Sequence, residues 1–117
     1  MGLFERITNM AKSAGLVNMS LKEAAAKAPN SMGCYKIYCN GLKYVGKAED
    51  GIRKRFVQYY NGTTAHYSSA EKIYKNRDKI TVSWLLLASG KQCRQVEAKW
   101  IDKFDPEWNC QKGWGKR

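Results

Sequence analysis

Residues 33–48 read GCYKIYCNGLKYVGKA, and this stretch decides the fold. Two runs of strand-forming residues flank Asn40-Gly41, the strongest short signal for a β-hairpin turn. With a two-residue loop, the turn fixes the register of the two strands. The predicted pairs across the hairpin are Tyr35 with Gly46, Ile37 with Tyr44, and Cys39 with Leu42.

The predicted register brings two tyrosines together. Side chains alternate between the faces of a strand, so Tyr35 and Tyr44 point to the same side of the ribbon as diagonal neighbours. Their phenol groups should converge beside Gly46, where the missing side chain leaves room for another group to approach. Packing between the two strands accounts for the pair equally well when it is considered alone.

Four further elements follow the hairpin, each indicated by its periodicity and its end signals. They are a helix over residues 52–61, a short helix from Ser68 to near Arg77, a buried strand over 80–88 and a helix over 91–104. The first helix should bury Ile52, Phe56 and Tyr60, which are spaced four residues apart. Arg55 and Tyr59 form a second stripe on its flank.

The last helix carries a carboxylate on its apolar face. Glu97 lies four residues after Cys93 and falls within the arc that also holds Trp100 and Phe104. A carboxylate on a core face is costly unless a cation, a metal ion or a hydrogen-bond network meets it. The alternative is a rotated helix in which Glu97 reaches the rim and pairs with a lysine.

Residues 1–31 are predicted to form a helical extension. Apolar residues recur at helical spacing over residues 3–17, and Ser20 with Glu23 forms a capping box for a second helix. An apolar face this small is not stable alone. The extension should therefore pack on its own domain, which we favour, on a second copy of the chain, or along a nucleic acid.

Charge is the main compositional signal in this chain of 117 residues, a length that suits one core. Twenty-one Lys and Arg against 10 Asp and Glu give a net charge of +11, which favours a polyanionic partner over solubility alone.

The apolar runs are too short to span a bilayer, and a secretory signal is lacking. We therefore expect a cytoplasmic protein without a membrane partner, whose 4 cysteines are free and mostly buried.

Five sequence elements in a fixed order carry a family resemblance: Gly33-Cys34-Tyr35, Tyr44-Val45-Gly46, Lys54-Arg55-Phe56, Glu97 and Asn109. Together they resemble the GIY-YIG nuclease family over roughly residues 32–112, and residues 99–109 look most like small stand-alone members such as phage endonuclease II. The resemblance implies a small α/β fold, with a three-stranded mixed or antiparallel sheet flanked by helices. A nuclease domain over residues 32–117 would follow the extension over residues 1–31.

The resemblance also implies a DNA endonuclease that uses one Mg²⁺ or Mn²⁺ ion. Tyr35 matches the family's proposed general base or positioner of water, and Tyr44 the tyrosine of the second motif. Arg55 matches the arginine that steadies the phosphate, and Glu97 the sole carboxylate that binds the metal. One hard oxygen ligand leaves the other metal positions to water and phosphate, as these ions prefer. Because a free tyrosine has a pKa of about 10, Tyr35 would need a partner to relay its proton.

Three more residues match the family pattern. Tyr59 lies where members carry His or Tyr, and Asn109 matches an asparagine that braces the site. His66 falls in a loop where a His or Lys is often used, but it is equally consistent with a surface residue. The basic side chains around the hairpin are candidates for contacts with DNA: Lys47, Arg53, Lys54, Lys72 and Lys75.

Two other classes of function remain open at this point. A non-catalytic basic module would hold nucleic acid through Lys and Arg while the tyrosines merely pack. A protein-interaction domain would use its basic surface only for solubility and would not bind DNA even in low salt. Metal-dependent cleavage separates the nuclease from both. Residues 1–31 are the candidate contact for a homo-oligomer.

Overall fold

The computed structural model describes residues 18–65 and 68–109. Its elements in chain order are β1 (Met19–Ser20), α1 (Leu21–Lys27), β2 (Gly33–Tyr38), β3 (Leu42–Ala48), α2 (Ile52–Asn61), α3 (Ser68–Lys75), a 3₁₀ turn (Arg77–Lys79), β4 (Thr81–Leu86) and α4 (Gly90–Phe104). The strands form one antiparallel sheet in the order β1-β4-β2-β3. The predicted α/β fold is confirmed, with four strands in place of three. The helix predicted over residues 3–17 lies outside the described residues.

The hairpin of β2 and β3 follows the predicted register up to its last pair. Two predicted pairs are confirmed: Tyr35 with Gly46 and Ile37 with Tyr44. The third pair is wrong, because the register shifts and Tyr38, not Cys39, lies opposite Leu42. Cys39 belongs to the loop, where its N–H donates to the carbonyl of Gly41 at 2.9 Å. Asn40 and Gly41 both have positive φ, 56° and 98°, as the tight turn requires.

The strand that the sequence did not predict is β1. It pairs with the start of β4, through Met19 with Val82 and Ser20 with Thr81. Ser20 then caps α1 by accepting the N–H of Glu23 at 3.1 Å, which confirms Ser20 as the N-cap. The Glu23 carboxylate pairs with Lys27 at 3.6 Å. The division of the chain at residues 31 and 32 stays a prediction, and residues 19–28 pack into the same core as the rest.

The main core lies between one face of the sheet and helices α1 and α2. Its largest fully buried side chains include Tyr35, Phe56, Leu21, Ile37 and Ile52. Tyr59, with 4% exposure, completes the buried stripe of α2 in place of the predicted Tyr60. Tyr60 is half-buried instead, and its hydroxyl donates to Asp78 at 3.1 Å. Helix α2 therefore presents Tyr59, and not Tyr60, to the sheet, where the Tyr59 hydroxyl meets that of Tyr35.

Helix α4 covers the opposite face of the sheet. The Cys34 thiol donates to the carbonyl of Cys93 at 3.1 Å, and the Lys36 ammonium lies 4.6 Å from the Trp100 ring centroid. Burial raises the pKa of Cys34 to about 12, so this thiol stays protonated and unreactive. The three cysteines within residues 18–65 and 68–109 are free, as predicted. Within the same ranges, no helix is long and apolar enough to cross a membrane.

Strands β2 and β4 approach so closely that Gly33 cannot carry a side chain. A Cβ there would overlap the carbonyl oxygen of Leu85 and lie 3.1 Å from the Cα of Leu86. We expect Gly33→Ala to lower the free energy of unfolding by roughly 2 kcal/mol or more, because the backbone of Leu85 and Leu86 must move to admit the new methyl group. Urea denaturation measures the loss. Gly90→Ala is the control, since that Cβ meets only the flexible side chains of Glu49 and Arg94 and helix propensity favours Ala. Equal stability of the two variants would contradict this packing.

Candidate active site

A cavity of about 500 Å³ opens where the end of β3, the start of α2 and the middle of α4 meet. Its lining consists of Tyr35, Tyr44, Lys47, Glu49, Asp50, Arg55 and Glu97. Sequence reasoning singled out five of these and missed Glu49 and Asp50. The cavity therefore joins the two tyrosine motifs, the helix arginine and the late glutamate, which are far apart in sequence.

The tyrosines form a packed cluster on the floor of this cavity. The Tyr35 hydroxyl shares a 2.5 Å hydrogen bond with the hydroxyl of Tyr59, and its ring centroid lies 6.3 Å from that of Tyr44. A Cβ at Gly46 would lie 2.5 Å from the Tyr35 hydroxyl. The space beside Gly46, predicted to admit another group, is thus filled by the Tyr35 phenol itself.

Burial governs the acidity of this cluster. Desolvation raises the pKa of Tyr35 well above its ordinary value, with the charges of Tyr59 and Tyr44 adding to the effect and Arg55 opposing it. Desolvation likewise raises the pKa of Tyr59. Both phenols therefore keep their protons at neutral pH. In this state they can hold an oxygen by hydrogen bonding, but they are poor proton acceptors.

Arg55 lines the cavity and has a buried donor without a partner among the described residues. It lies on α2, half-buried, with its Nη2 atom 3.8 Å from Oδ1 of Asp50. Its Nε–H is buried and has no hydrogen-bond partner within the described part of the chain. Buried donors are rarely left unpaired, and a guanidinium forks readily onto carboxylate or phosphate oxygens. Arg55 therefore fits an anionic ligand.

Glu97 lies on the second turn of α4 and faces the cavity from the other side. It is half-buried, and desolvation raises the pKa of its carboxyl above the ordinary value, while Lys47 and Arg55 lower it. Over residues 18–65 and 68–109, no Lys or Arg forms an ion pair with it. The Lys47 backbone N–H hydrogen-bonds to this carboxylate, but no side-chain cation of the described residues is paired with it, so it can still accept a cation from the cavity.

The site offers a metal ion few protein ligands. No group of three or more His, Cys, Asp or Glu side chains in the described ranges is arranged to hold a metal ion. Glu97 nevertheless fits a hard divalent cation that takes most of its ligands from water. His66, the predicted loop histidine, lies outside the described residues.

Two acidic residues that sequence reasoning missed form the rim. Glu49 contacts Lys47 at 3.0 Å and Arg94 at 3.3 Å, whereas Asp50 contacts Lys54 at 3.1 Å. These pairs lower the pKa of both carboxyls. The sequence held no signal for them, since two acids between a strand and a basic helix are ordinary charged residues of a turn.

Asn109 lies outside the cavity lining and binds the edge of β3. Its side chain is buried, accepts the N–H of Val45 at 2.9 Å and donates to the carbonyl of Val45 at 2.8 Å. The N–H of Trp108 donates to the carbonyl of Lys43 at 2.8 Å. The segment thus pairs with the free edge of β3, as another strand would. It fixes the backbone between Tyr44 and Gly46.

The predicted DNA-binding cations beyond Lys47 lie on two helices. Arg53 and Lys54 are exposed on α2, and Lys72 and Lys75 are exposed on α3. Lys75 pairs with Glu71 at 2.6 Å on its own helix. These side chains lie outside the cavity and leave its interior to the residues described above.

Known proteins resemble this chain in sequence and in fold. UvrABC system protein C of Corynebacterium aurimucosum is 29% identical over 90 residues, which span 75% of this chain and 13% of that protein. The same protein of Borrelia duttonii is 31% identical over 85 residues, 71% of this chain and 13% of its own length. The chain thus spans only about an eighth of these relatives.

A solved structure with a similar fold is the GIY-YIG N-terminal endonuclease domain of UvrC from Thermotoga maritima, bound to magnesium as its catalytic divalent cation. It superposes with a TM-score of 0.63 at 22% identity, over 76% of this chain and 94% of that one. The likeness to stand-alone phage members stays a prediction. The family model of the GIY-YIG catalytic domain matches residues 31–111. The chain therefore belongs to the GIY-YIG catalytic domain family.

Proposed function

We propose that this protein is a metal-dependent DNA endonuclease, which hydrolyses phosphodiester bonds with one divalent cation, Mg²⁺ or Mn²⁺, held by Glu97. The supporting observation is that Arg55, whose buried Nε–H has no partner within the described residues, and Glu97, whose carboxylate forms no ion pair there, line one cavity. The Glu97 carboxylate attracts a cation, and the Arg55 guanidinium attracts an anion. A phosphate with its bound metal ion satisfies both together.

Each side chain takes a role that its position supports. When bound at Glu97, the cation would supply positive charge to the phosphate and acidify a water molecule. Arg55 holds a non-bridging phosphate oxygen and stabilises the negative charge that develops there. Because Tyr35 keeps its proton, we assign it the positioning role rather than that of an unaided base. Tyr59 fixes its hydroxyl, and Tyr44 completes the tyrosine wall of the cavity.

The basic surface brings the DNA to this site. Lys47 lies in the cavity, and the candidate contacts for the flanking backbone are Arg53, Lys54, Lys72 and Lys75. Phosphate contacts of this kind release counterions, so binding should weaken steeply with salt. One site cuts one strand per visit, so the first product is a nicked duplex. A double cut requires a second visit or a second copy, for which residues 1–31 are the proposed contact.

Plasmid cleavage tests the proposed function. Purified protein is incubated with supercoiled plasmid in Mg²⁺, in Mn²⁺ or in EDTA, and the products are separated on agarose. We expect nicked circles with either metal and none in EDTA. Binding to DNA without cleavage in all three conditions would instead favour the non-catalytic basic module. Failure to bind even in low salt would favour the protein-interaction domain.

We expect Arg55→Lys to slow cleavage by about 100-fold, because lysine keeps the charge but not the planar fork. The single-turnover rate at saturating protein isolates this step from binding. The control is Arg77→Lys, whose guanidinium lies 4.2 Å from the Tyr74 ring centroid, outside the cavity lining. This control should cleave at the wild-type rate. Similar rates for both variants would argue against a phosphate contact by Arg55.

A further inference from the structure

Glu49 links the two sides of the cavity. It follows β3 directly, and its Oε2 atom lies 3.0 Å from Nζ of Lys47. Its Oε1 atom lies 3.3 Å from Nη1 of Arg94 on α4, the helix that carries Glu97. Both oxygens of this exposed carboxylate are therefore engaged by cations, although neither contact lies in the interior of the protein.

Lys47 is the cation that competes for Glu97. Both side chains line the same cavity, and the Lys47 charge is the largest favourable influence on the ionised Glu97 carboxylate. A lysine carries its ammonium on a flexible stem of four carbons. If it were released, it could pair with Glu97, and its positive charge would repel a divalent cation from the same oxygens.

We infer that Glu49 is a positioning residue, which holds the Lys47 ammonium away from Glu97 and so keeps that carboxylate free for a divalent cation. The inference rests on the proposed function, because it requires Glu97 to be the cation ligand. Residues two apart at the end of a strand point to the same side. This spacing allows Glu49 to reach Lys47 from its own strand and Arg94 from the facing helix.

The expected effect appears in cation binding by the protein alone. Glu49→Gln should raise the Kd for Mg²⁺, measured by calorimetry without DNA, by about fivefold. Glu107→Gln is the matched control. Glu107 pairs with Lys43 at 3.1 Å on the same strand as Lys47 but does not line the cavity, so the variant makes an equal change in net charge. Its Kd should stay within about twofold of wild type.

A double-mutant cycle with Lys47→Met separates positioning from direct action on the cation. If Glu49 acts through Lys47, Glu49→Gln has no further effect on the Kd once Lys47 is replaced. Lys47→Met by itself should tighten Mg²⁺ binding. Arg94→Met, which removes the other partner of Glu49, should leave the Kd within about twofold of wild type. Thermal melting confirms that each variant is folded at the temperature of the titration.

The outcomes are distinct. An equal loss of affinity from Glu49→Gln in both backgrounds would mean that Glu49 acts directly on the cation, and an unchanged Kd in both would mean that it has no role. Either result overturns the inference and leaves the proposed function intact. A wild-type chain that neither binds Mg²⁺ nor cuts DNA overturns the proposed function, and the inference with it.

Discussion

Glu97→Gln should lower the rate of plasmid cleavage in Mg²⁺ by roughly 1,000-fold or more. Glutamine keeps the size of the side chain and one carbonyl oxygen, but it removes the negative charge that holds the cation. The rate is measured by single turnover, and calorimetry of the protein alone should show the loss of Mg²⁺ binding. Glu107→Gln, which makes the same charge change outside the cavity lining, should cleave at the wild-type rate.

This variant should not be less stable than wild type in the absence of metal. The pKa of the Glu97 carboxyl is raised above its ordinary value of 4.5 by burial, so the native state binds that proton more tightly than the unfolded state. The stabilisation is present below the unfolded pKa and is lost as the pH rises through the folded pKa. At pH 7 the ionised Glu97 carboxylate therefore destabilises the native state, and the neutral Gln side chain removes this cost. A cleavage loss with a melting temperature no lower than that of wild type identifies a chemical role. Persistent Mg²⁺-dependent cleavage within tenfold of wild type would instead assign the cation to another ligand.

Asn109→Ala should lower the free energy of unfolding by roughly 2–4 kcal/mol. The substitution leaves both the N–H and the carbonyl of Val45 without their partners, and Val45 is fully buried. Unpaired buried backbone groups bear the full cost of desolvation. Urea denaturation followed by circular dichroism measures the difference.

Glu107→Ala is the matched control for the same segment. Its side chain is 69% exposed, and surface ion pairs contribute little, so its unfolding curve should overlay that of wild type. A loss below about 1 kcal/mol for Asn109→Ala would show that water replaces the amide at the edge of β3. That result would contradict the bracing role.

Local signals in the sequence were sufficient to place the hairpin and the later elements along the chain, although not to predict that Leu85, Leu86 and Phe104 are exposed. Asn40-Gly41 set the turn, and the alternation of the flanking strands placed Tyr35 and Tyr44 on one face, as the structure has them. The shift at Tyr38 was not predictable, because a loop of two residues and a loop of three give similar strand patterns. Strand β1 was missed for a different reason, since two residues are too few to show any alternation.

The site was predictable where a residue conflicted with its surroundings. Glu97 stood out because a carboxylate interrupted an apolar arc, and the structure places it in the cavity. Tyr59 and Tyr60 differ by one position on α2, and only packing against the sheet decides which of them is buried. Glu49 is an ordinary charged residue in a turn, so its place at the rim becomes visible only when β3 and α4 are brought together.

The pairing of residues 108 and 109 with β3 also affects how this protein behaves at high concentration. An outer strand with unpaired N–H and carbonyl groups is a template on which another polypeptide can add a strand, and this is a common start of aggregation. Here the Asn109 amide and the Trp108 backbone already occupy such groups on Val45 and Lys43. Residues 108 and 109, which hold β3 in place, therefore also protect the molecule from self-association through the edge of that strand.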